Sequence, residues 1–293
     1  MEVINMVKII DAIEMCEVKT KKLCTEVEKM TSKVQIPAID PQLVIINASD
    51  DEGNLRYIKN KIIAAEKVGI KTNVIKFDEN CKTSEVLRVI QHCNSSGTPV
   101  ILQMPIYNHL DQDLLLSAIE WYVDADGFSK EWIGQVNLGF DKKVAPATPK
   151  GVISLLEFHD IEILGKNVLI IGSSNHVGKP IIPMILNRGG TVINANINTA
   201  DLPTLVRISD IIISCVGKVN LINPSDIKDG AVLIGVGFTY VEGKQILDFD
   251  IDKIVEDGRA SVVSNRINCT GKATVISLIE NVIELYKYNN GIK

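Results

Sequence analysis

The sequence predicts an α/β protein of two domains, each organised around parallel strands. Short runs rich in Val, Ile and Leu alternate with stretches of helical periodicity, which is the pattern of strands joined by crossover helices. A proline-bearing stretch at residues 144–151 (VAPATPKG) interrupts that alternation and reads as a hinge between domains. Beyond it, the apolar run 168–171 stops abruptly at Gly172, and Gly178 follows just before a helix, the signature of a strand, tight turn and helix. The 293 residues are enough for two domains, and an apolar share of 46% supplies their cores.

Composition excludes several classes of function. A net charge of -5 without any block of Lys and Arg argues against a nucleic-acid partner. No apolar span is long enough to cross a bilayer, and the opening MEVINMVKIIDAIEM lacks the features of a signal segment, so the expectation is a cytosolic protein without a membrane partner. Cys16, Cys24, Cys81, Cys93, Cys215 and Cys269 form no CxxC pair, which argues against a disulfide framework or a metal site and leaves inert thiols.

In chain order, Val18, Leu23, Val27 and Met30 recur at helical spacing and predict an amphipathic helix over 18–33. A strand at 43–46 runs into the turn-prone stretch 47–54, and 55–68 reads as a helix closed by Gly69. A strand at 74–77, a helix at 83–93 and a strand at 99–103 ending at Met104-Pro105 continue the alternation. A helix near 112–121 precedes a loop, DADGFSKEWIG, and after the hinge a helix begins at 152–159. Runs at 168–171, 191–194, 211–215 and 231–236 are four strands of a Rossmann-like domain. A last helix over 273–288 carries Val275, Leu278, Ile279, Val282 and Leu285 on one face, so it must dock, and the first domain is one place for it.

Candidate site residues follow from position. The turn from Gly172 to Gly178 precedes a helix N-terminus, where backbone N–H groups and the helix dipole suit a pyrophosphate; an ordinary βα turn needs the same glycines. Ser214-Cys215-Val216-Gly217 and Gly235-Val236-Gly237 end strands in small residues that would admit a flat ring, or simply close backbone packing. Tyr57 and Lys61 are four apart on one helix face, Gln103 and Pro105 end a strand, and Asp124 and Asp126 lie in the following loop. Each is ordinary alone, and the combination is what suggests a cleft.

The order YIKNK, Gln103-Met104-Pro105, DADGF, ATPKG, IIGSSNHVGKP and SDIIISCVGK resembles the bifunctional methylenetetrahydrofolate dehydrogenase/cyclohydrolase family over almost the whole length. The resemblance implies a folate-binding catalytic domain over 1–147 with the final helix (273–293) returning to it, and a dinucleotide-binding domain over 148–272. It also implies a folate cleft between them and a homodimer. The implied activity is oxidation of 5,10-methylenetetrahydrofolate with NADP or NAD, followed by hydrolysis of the methenyl product to 10-formyltetrahydrofolate. Carried over by motif, Lys61 is the catalytic lysine, Gln103 its hydrogen-bond partner, Tyr57 the platform for the folate rings and Asp126 the pterin anchor. Gly172, Ser173, Ser174, Val177, Gly178, Pro180, Thr199, Cys215, Val216, Gly217, Gly237 and Thr274 are the implied dinucleotide contacts, and no metal is implied.

The chain departs from the family pattern on the cofactor side. Ser173 stands where the family has an arginine directed at the 2′-phosphate of NADP, which weakens the case for NADP. Residues 195–199 keep only Thr199 of a more polar family motif, Gly235 replaces an aspartate, and 267–274 keep only Gly271 and Thr274 of the loop before the last helix. These changes leave NAD and NADP both open. They also support an alternative in which a divergent paralogue has lost one or both activities and acts as a folate- or nucleotide-binding subunit. Cys269 and His176 read as a packed thiol and a loop residue.

Overall fold

The computed structural model describes residues 6–33, 41–140, 143–241 and 244–292. Its first elements are β1 (Lys8–Ile10), α1 (Ile13–Lys33), β2 (Gln42–Asn47), α2 (Glu52–Lys67), β3 (Lys71–Lys76), α3 (Thr83–Ser96) and β4 (Val100–Gln103). There follow α4 (Gln112–Ser117), α5 (Lys130–Asn137), α6 (Ala147–Phe158), β5 (Asn167–Ile171), α7 (Gly178–Leu186), β6 (Thr191–Ala195) and α8 (Leu202–Arg207). The chain closes with β7 (Ile211–Ser214), β8 (Val232–Gly235), β9 (Phe238–Val241), β10 (Lys244–Leu247), α9 (Ile251–Asp257), β11 (Val262–Ser264) and α10 (Thr270–Asn289). No described helix is long and apolar enough to cross a membrane.

Two compact units result. The front unit comprises the described residues of Glu17–Gln135, Asp141–Ala147 and Val275–Lys293. Its parallel sheet has the order β3-β2-β4, and the register sets Asn47 beside Gln103 at the carboxyl end. Val44 and Ile46 of β2 and Val100 and Leu102 of β4 join Val86, Ile90 and Cys93 of α3 in one buried cluster. The apolar face of α10 is buried as its periodicity requires. Within this unit Asn281 donates to the carbonyls of Ala125 (3.0 Å) and Ala145 (2.8 Å), and Asn289 to those of Gly97 and Tyr122 (both 2.8 Å). Lys19–Glu280 (2.8 Å) and Lys287–Glu26 ion pairs tie α10 to α1.

The rear unit comprises the described residues of Met1–Cys16, Val136–Phe140 and Thr148–Thr274. Its six-stranded sheet runs β1-β11-β8-β7-β5-β6, with every neighbouring pair parallel. After β5 the chain forms β6 on one side and then crosses to form β7 on the other. That reversal of direction marks the topological switch point, where doubly wound sheets open a crevice at the carboxyl ends of the strands. Leu169, Ile171, Ile212, Leu233 and Val263 contribute to a single core cluster on this sheet.

Several stretches differ from the sequence expectation, among them the following. The helix expected from 18 begins at Ile13. Part of the expected loop DADGFSKEWIG is the start of α5, because Trp132 is buried and its indole N–H donates to the Trp121 carbonyl at 2.7 Å. The expected hinge is helical from Ala147 onward, since Pro149 lies in the first turn, where a missing N–H costs no helical bond. Residues 8–10, expected to lie with the front domain, form β1 at the edge of the rear sheet, where Lys8 N–H donates to Ser261 (2.9 Å) and Asn265 N–H to Ile10 (2.7 Å).

Asn281 is fully buried, so Asn281→Ala strands two carbonyls without their donor. The expected cost is roughly 1–3 kcal/mol for each such group. Urea unfolding reads it as a lowered midpoint, and an unchanged midpoint contradicts the assignment.

Candidate active site

The front-unit site grows from the start of α2. Asp51 caps the helix by accepting the Asn54 N–H at 2.8 Å. Asn54, Ile58 and Lys61 then recur on one buried face, with half-buried Tyr57 one turn before Lys61. Lys61 is only 7% exposed, and its ammonium nitrogen Nζ lies 2.9 Å from Oε1 of Gln103, the last residue of β4. The Gln103 amide N–H group donates in turn to the Asn54 side-chain oxygen (3.3 Å) and the Met104 carbonyl (3.0 Å), while Asn54 donates to the Pro105 carbonyl (2.8 Å). Pro105 follows a cis peptide bond. These partners fix the direction of the Gln103 amide: turning it over would set an N–H against the lysine and an oxygen against two oxygens.

Burial lowers the Lys61 pKa from the usual lysine value, and the Asp126 charge opposes that shift in part. Asp126 therefore lies within electrostatic reach of Lys61, as the loop position suggests. It is half-buried, and its carbonyl accepts the Ala147 N–H at 3.2 Å. Asp124 is different: it is 5% exposed, accepts the N–H groups of Gly127 (3.0 Å) and Ser129 (2.6 Å), and so shapes the turn that carries Asp126. Burial pushes its carboxyl up to about 6.

In the rear unit the turn between β5 and α7 is sterically closed to side chains. Gly172 has φ +113°, and a Cβ there would lie 3.1 Å from the Cys215 carbonyl oxygen; one on Gly178 would lie 2.1 Å from the Gly172 oxygen. The Ser174 hydroxyl accepts the Val177 (3.2 Å) and Gly178 (3.4 Å) N–H groups and so caps α7, where Pro180 is buried in the first turn. Ser173 donates to Asn194 Oδ1 at 2.7 Å, and the Asn194 amide donates to the carbonyls of Ile170 and Gly172, both at 3.0 Å. Cys215, Val216 and Gly217 form the loop after β7, against which Gly237 packs: a Cβ on Gly237 would meet Gly217 N at 2.4 Å. Thr199 closes its own turn with Asn196, and the Thr274 hydroxyl donates to Thr270 O (2.9 Å) and Thr148 Oγ1 (3.2 Å). The structure thus brings Gly172, Gly178, Cys215, Gly217 and Gly237 together at the switch point, and holds Thr199 and Thr274 by other partners.

The comparisons agree with both halves. Residues 10–126 match the tetrahydrofolate dehydrogenase/cyclohydrolase catalytic-domain family, and residues 146–290 match its NAD(P)-binding domain. The bifunctional protein FolD of Campylobacter jejuni (strain RM1221) is 34% identical over 91% of this chain and 95% of its own. The chain belongs to the tetrahydrofolate dehydrogenase/cyclohydrolase family. A crystal structure of the bifunctional FolD enzyme from Campylobacter jejuni superimposes with a TM-score of 0.90 at 31% identity, covering 97% of this chain and 99% of that one. The Trypanosoma brucei FolD structure, described as complexed with NADP cofactor and inhibitor, gives 0.90 at 26% identity over the same shares.

The departures of this family member have local physical reasons. Gly235 packs against the side chains of Leu247 and Phe249, so an aspartate there would have to displace the Leu247 side chain, whose Cδ1 would lie 2.9 Å from an added Cβ. In the rewritten loop, Asn268 adopts φ +60° and the Thr270 hydroxyl donates to the Gly235 carbonyl at 3.0 Å. Cys269 is buried with its thiol pushed up to about 12, an inert group. Asn54 was absent from the sequence-derived site because residues 47–54 read as a turn. The signal was nevertheless present, in the D-x-x-N cap and the spacing Asn54, Tyr57, Ile58, Lys61.

Asp124 gives the site a pH signature. Its folded pKa of about 6 lies above the unfolded value near 3.9, so its stabilising contribution is complete below about pH 4 and is lost as pH rises to about 6. Relative to Asp124→Asn, the urea midpoint of the parent protein should fall between pH 4 and 6; a parallel course of the two curves contradicts the assignment.

Proposed function

We propose that this chain oxidises 5,10-methylenetetrahydrofolate to the methenyl form with NAD(P) and hydrolyses that product to 10-formyltetrahydrofolate, the front unit binding folate and the rear unit the dinucleotide. The observation that carries the reading is the buried Lys61 amine bonded to the neutral Gln103 oxygen. A neutral acceptor aims the amine without holding a proton on it as a carboxylate would, and burial favours the uncharged form. Asp126 suits the N–H edge of a pterin, and the ring of Tyr57 suits its flat face.

When bound, the dinucleotide would supply the oxidising chemistry of the first reaction, accepting a hydride from the methylene bridge so that a methenyl cation remains for hydrolysis. Water then bonds to the cationic carbon while Lys61 takes one of its protons. Lys61 returns that proton to N5 as the carbon–N5 bond breaks, and the remaining hydroxyl proton leaves to solvent as the formyl group forms. The positive charge of the methenyl group further disfavours the ammonium form of Lys61, so the base is readiest when its substrate is present.

The glycine turn and the α7 N-terminus fit a dinucleotide, because backbone free of Cβ at Gly172 and Gly178 meets the N-terminal end of a helix at the switch point. Ser174 and Val177 lie in that turn and Pro180 in the first turn of α7, Cys215, Val216 and Gly217 form the loop after β7 with Gly237 packed against it, and Thr199 and Thr274 complete the proposed contact set. We favour NAD over NADP: Ser173 and Asn194 bond each other as a neutral pair where the family resemblance calls for an arginine. The same resemblance supports a cytosolic homodimer.

Purified protein given methylenetetrahydrofolate and NAD or NADP should produce reduced-nicotinamide absorbance. Lys61→Met should abolish methenyl hydrolysis while folate binding persists. Binding of folate and dinucleotide without any turnover would instead identify a non-catalytic paralogue. Ser173→Arg should shift the ratio of kcat/KM values toward NADP by about tenfold, the scale of one charge-assisted contact. An unmoved ratio refutes the assigned role of that position.

A further inference from the structure

We propose that Asp248 is a positioning residue for the dinucleotide, acting by holding the loop after β7 in its receiving shape; this rests on the reading of the rear unit as NAD(P)-binding. Asp248 follows β10 and is fully buried. One carboxylate oxygen accepts the Ser214 hydroxyl (2.5 Å) and the Val216 N–H (3.0 Å), and the other accepts the Lys218 N–H (2.6 Å). Its backbone carbonyl accepts the N–H groups of Leu221 (2.7 Å) and Ile222 (3.3 Å). One residue therefore terminates five donors from 214–222, the segment that leaves β7 at the switch point.

The chemistry requires a carboxylate. Three donors converge on its two oxygens, and only a group that accepts at both ends satisfies them. An asparagine would turn an N–H toward one of them. With the Val216 and Lys218 N–H groups committed to Asp248, the intervening Gly217 is held at φ +75°, and its backbone lies against Gly237, where no Cβ fits. The loop is pinned from below by a carboxylate and from the side by a glycine contact. Its opposite neighbour is the Gly172 turn, whose missing Cβ would sit 3.1 Å from the Cys215 oxygen. A shift of the Cys215–Gly217 backbone would close or splay the crevice between β5 and β7. Asp248 contributes through that backbone, without touching the ligand.

The test compares the parent protein with Asp248→Asn and with Ser214→Ala, which removes one donor and leaves the carboxylate. Dinucleotide affinity is measured by titration with NAD and NADP, alongside the dinucleotide KM. Methenyl hydrolysis, which consumes no dinucleotide, reports folded enzyme in the same samples. Expected is a rise of about tenfold in dinucleotide Kd and KM for Asp248→Asn, relative to hydrolysis, and a smaller rise for Ser214→Ala. Parent-like affinity in Asp248→Asn overturns the proposal. If that variant fails to fold, parent-like affinity in Ser214→Ala overturns it equally. A parent protein that binds neither NAD nor NADP fails at the prior step and removes the dinucleotide reading itself.

Discussion

A lysine taken out of water and bonded to a neutral oxygen is the constraint around which the front unit is arranged. An ammonium in that position would forgo hydration and gain only an amide dipole and part of the Asp126 charge, so on balance the environment disfavours charge on Lys61. The bias works only if the Gln103 amide cannot turn over. Asn54 prevents this from inside α2, and the carbonyls of Met104 and Pro105 supply the other acceptors. Asp51 holds the first turn of α2 in turn. The chemistry is therefore distributed along a chain of short-range contacts linking a helix cap, a helix face and a strand end.

The rear unit relies on a different device, exclusion of side-chain volume. Gly178 and Gly237 each occupy a position where a single added carbon would collide with backbone, and Gly172 combines a tight approach to the Cys215 carbonyl with φ +113°. Such collisions cannot be relieved by a rotamer change, which is why these positions demand glycine whether or not a ligand is bound. Structural necessity and ligand approach are the same requirement here, and neither explanation displaces the other.

Much of this was legible from the residues. The strands rich in β-branched residues, the glycine turn, the Tyr57–Lys61 spacing and the strand-end Gln103 all follow from local periodicity and position. What local pattern could not reveal was partnership across long sequence separation. Residues 8–10 are too short a run to stand out as a strand, and become one only by pairing with 262–264. Asp248 carries no local signal in the sequence, and its importance appears only when 214–218 folds over it. Lys130 to Gly134 looked like loop because the burial of Trp132 depends on Trp121, a contact no window of periodicity records. Asn54 sits at a helix start that local pattern marks only ambiguously, because the residues that cap helices also suit turns.

The threading of the two units has a consequence for biosynthesis. The front unit's early sheet, complete by Gln103, waits for α10, whose Asn281 and Asn289 close carbonyls on residues 97, 122, 125 and 145. The rear unit's β1 is made first and waits for β11. The rear sheet can close once β11 has been made, whereas the front core stays open until α10 emerges last, so on the nascent chain the unit begun early is the one finished late.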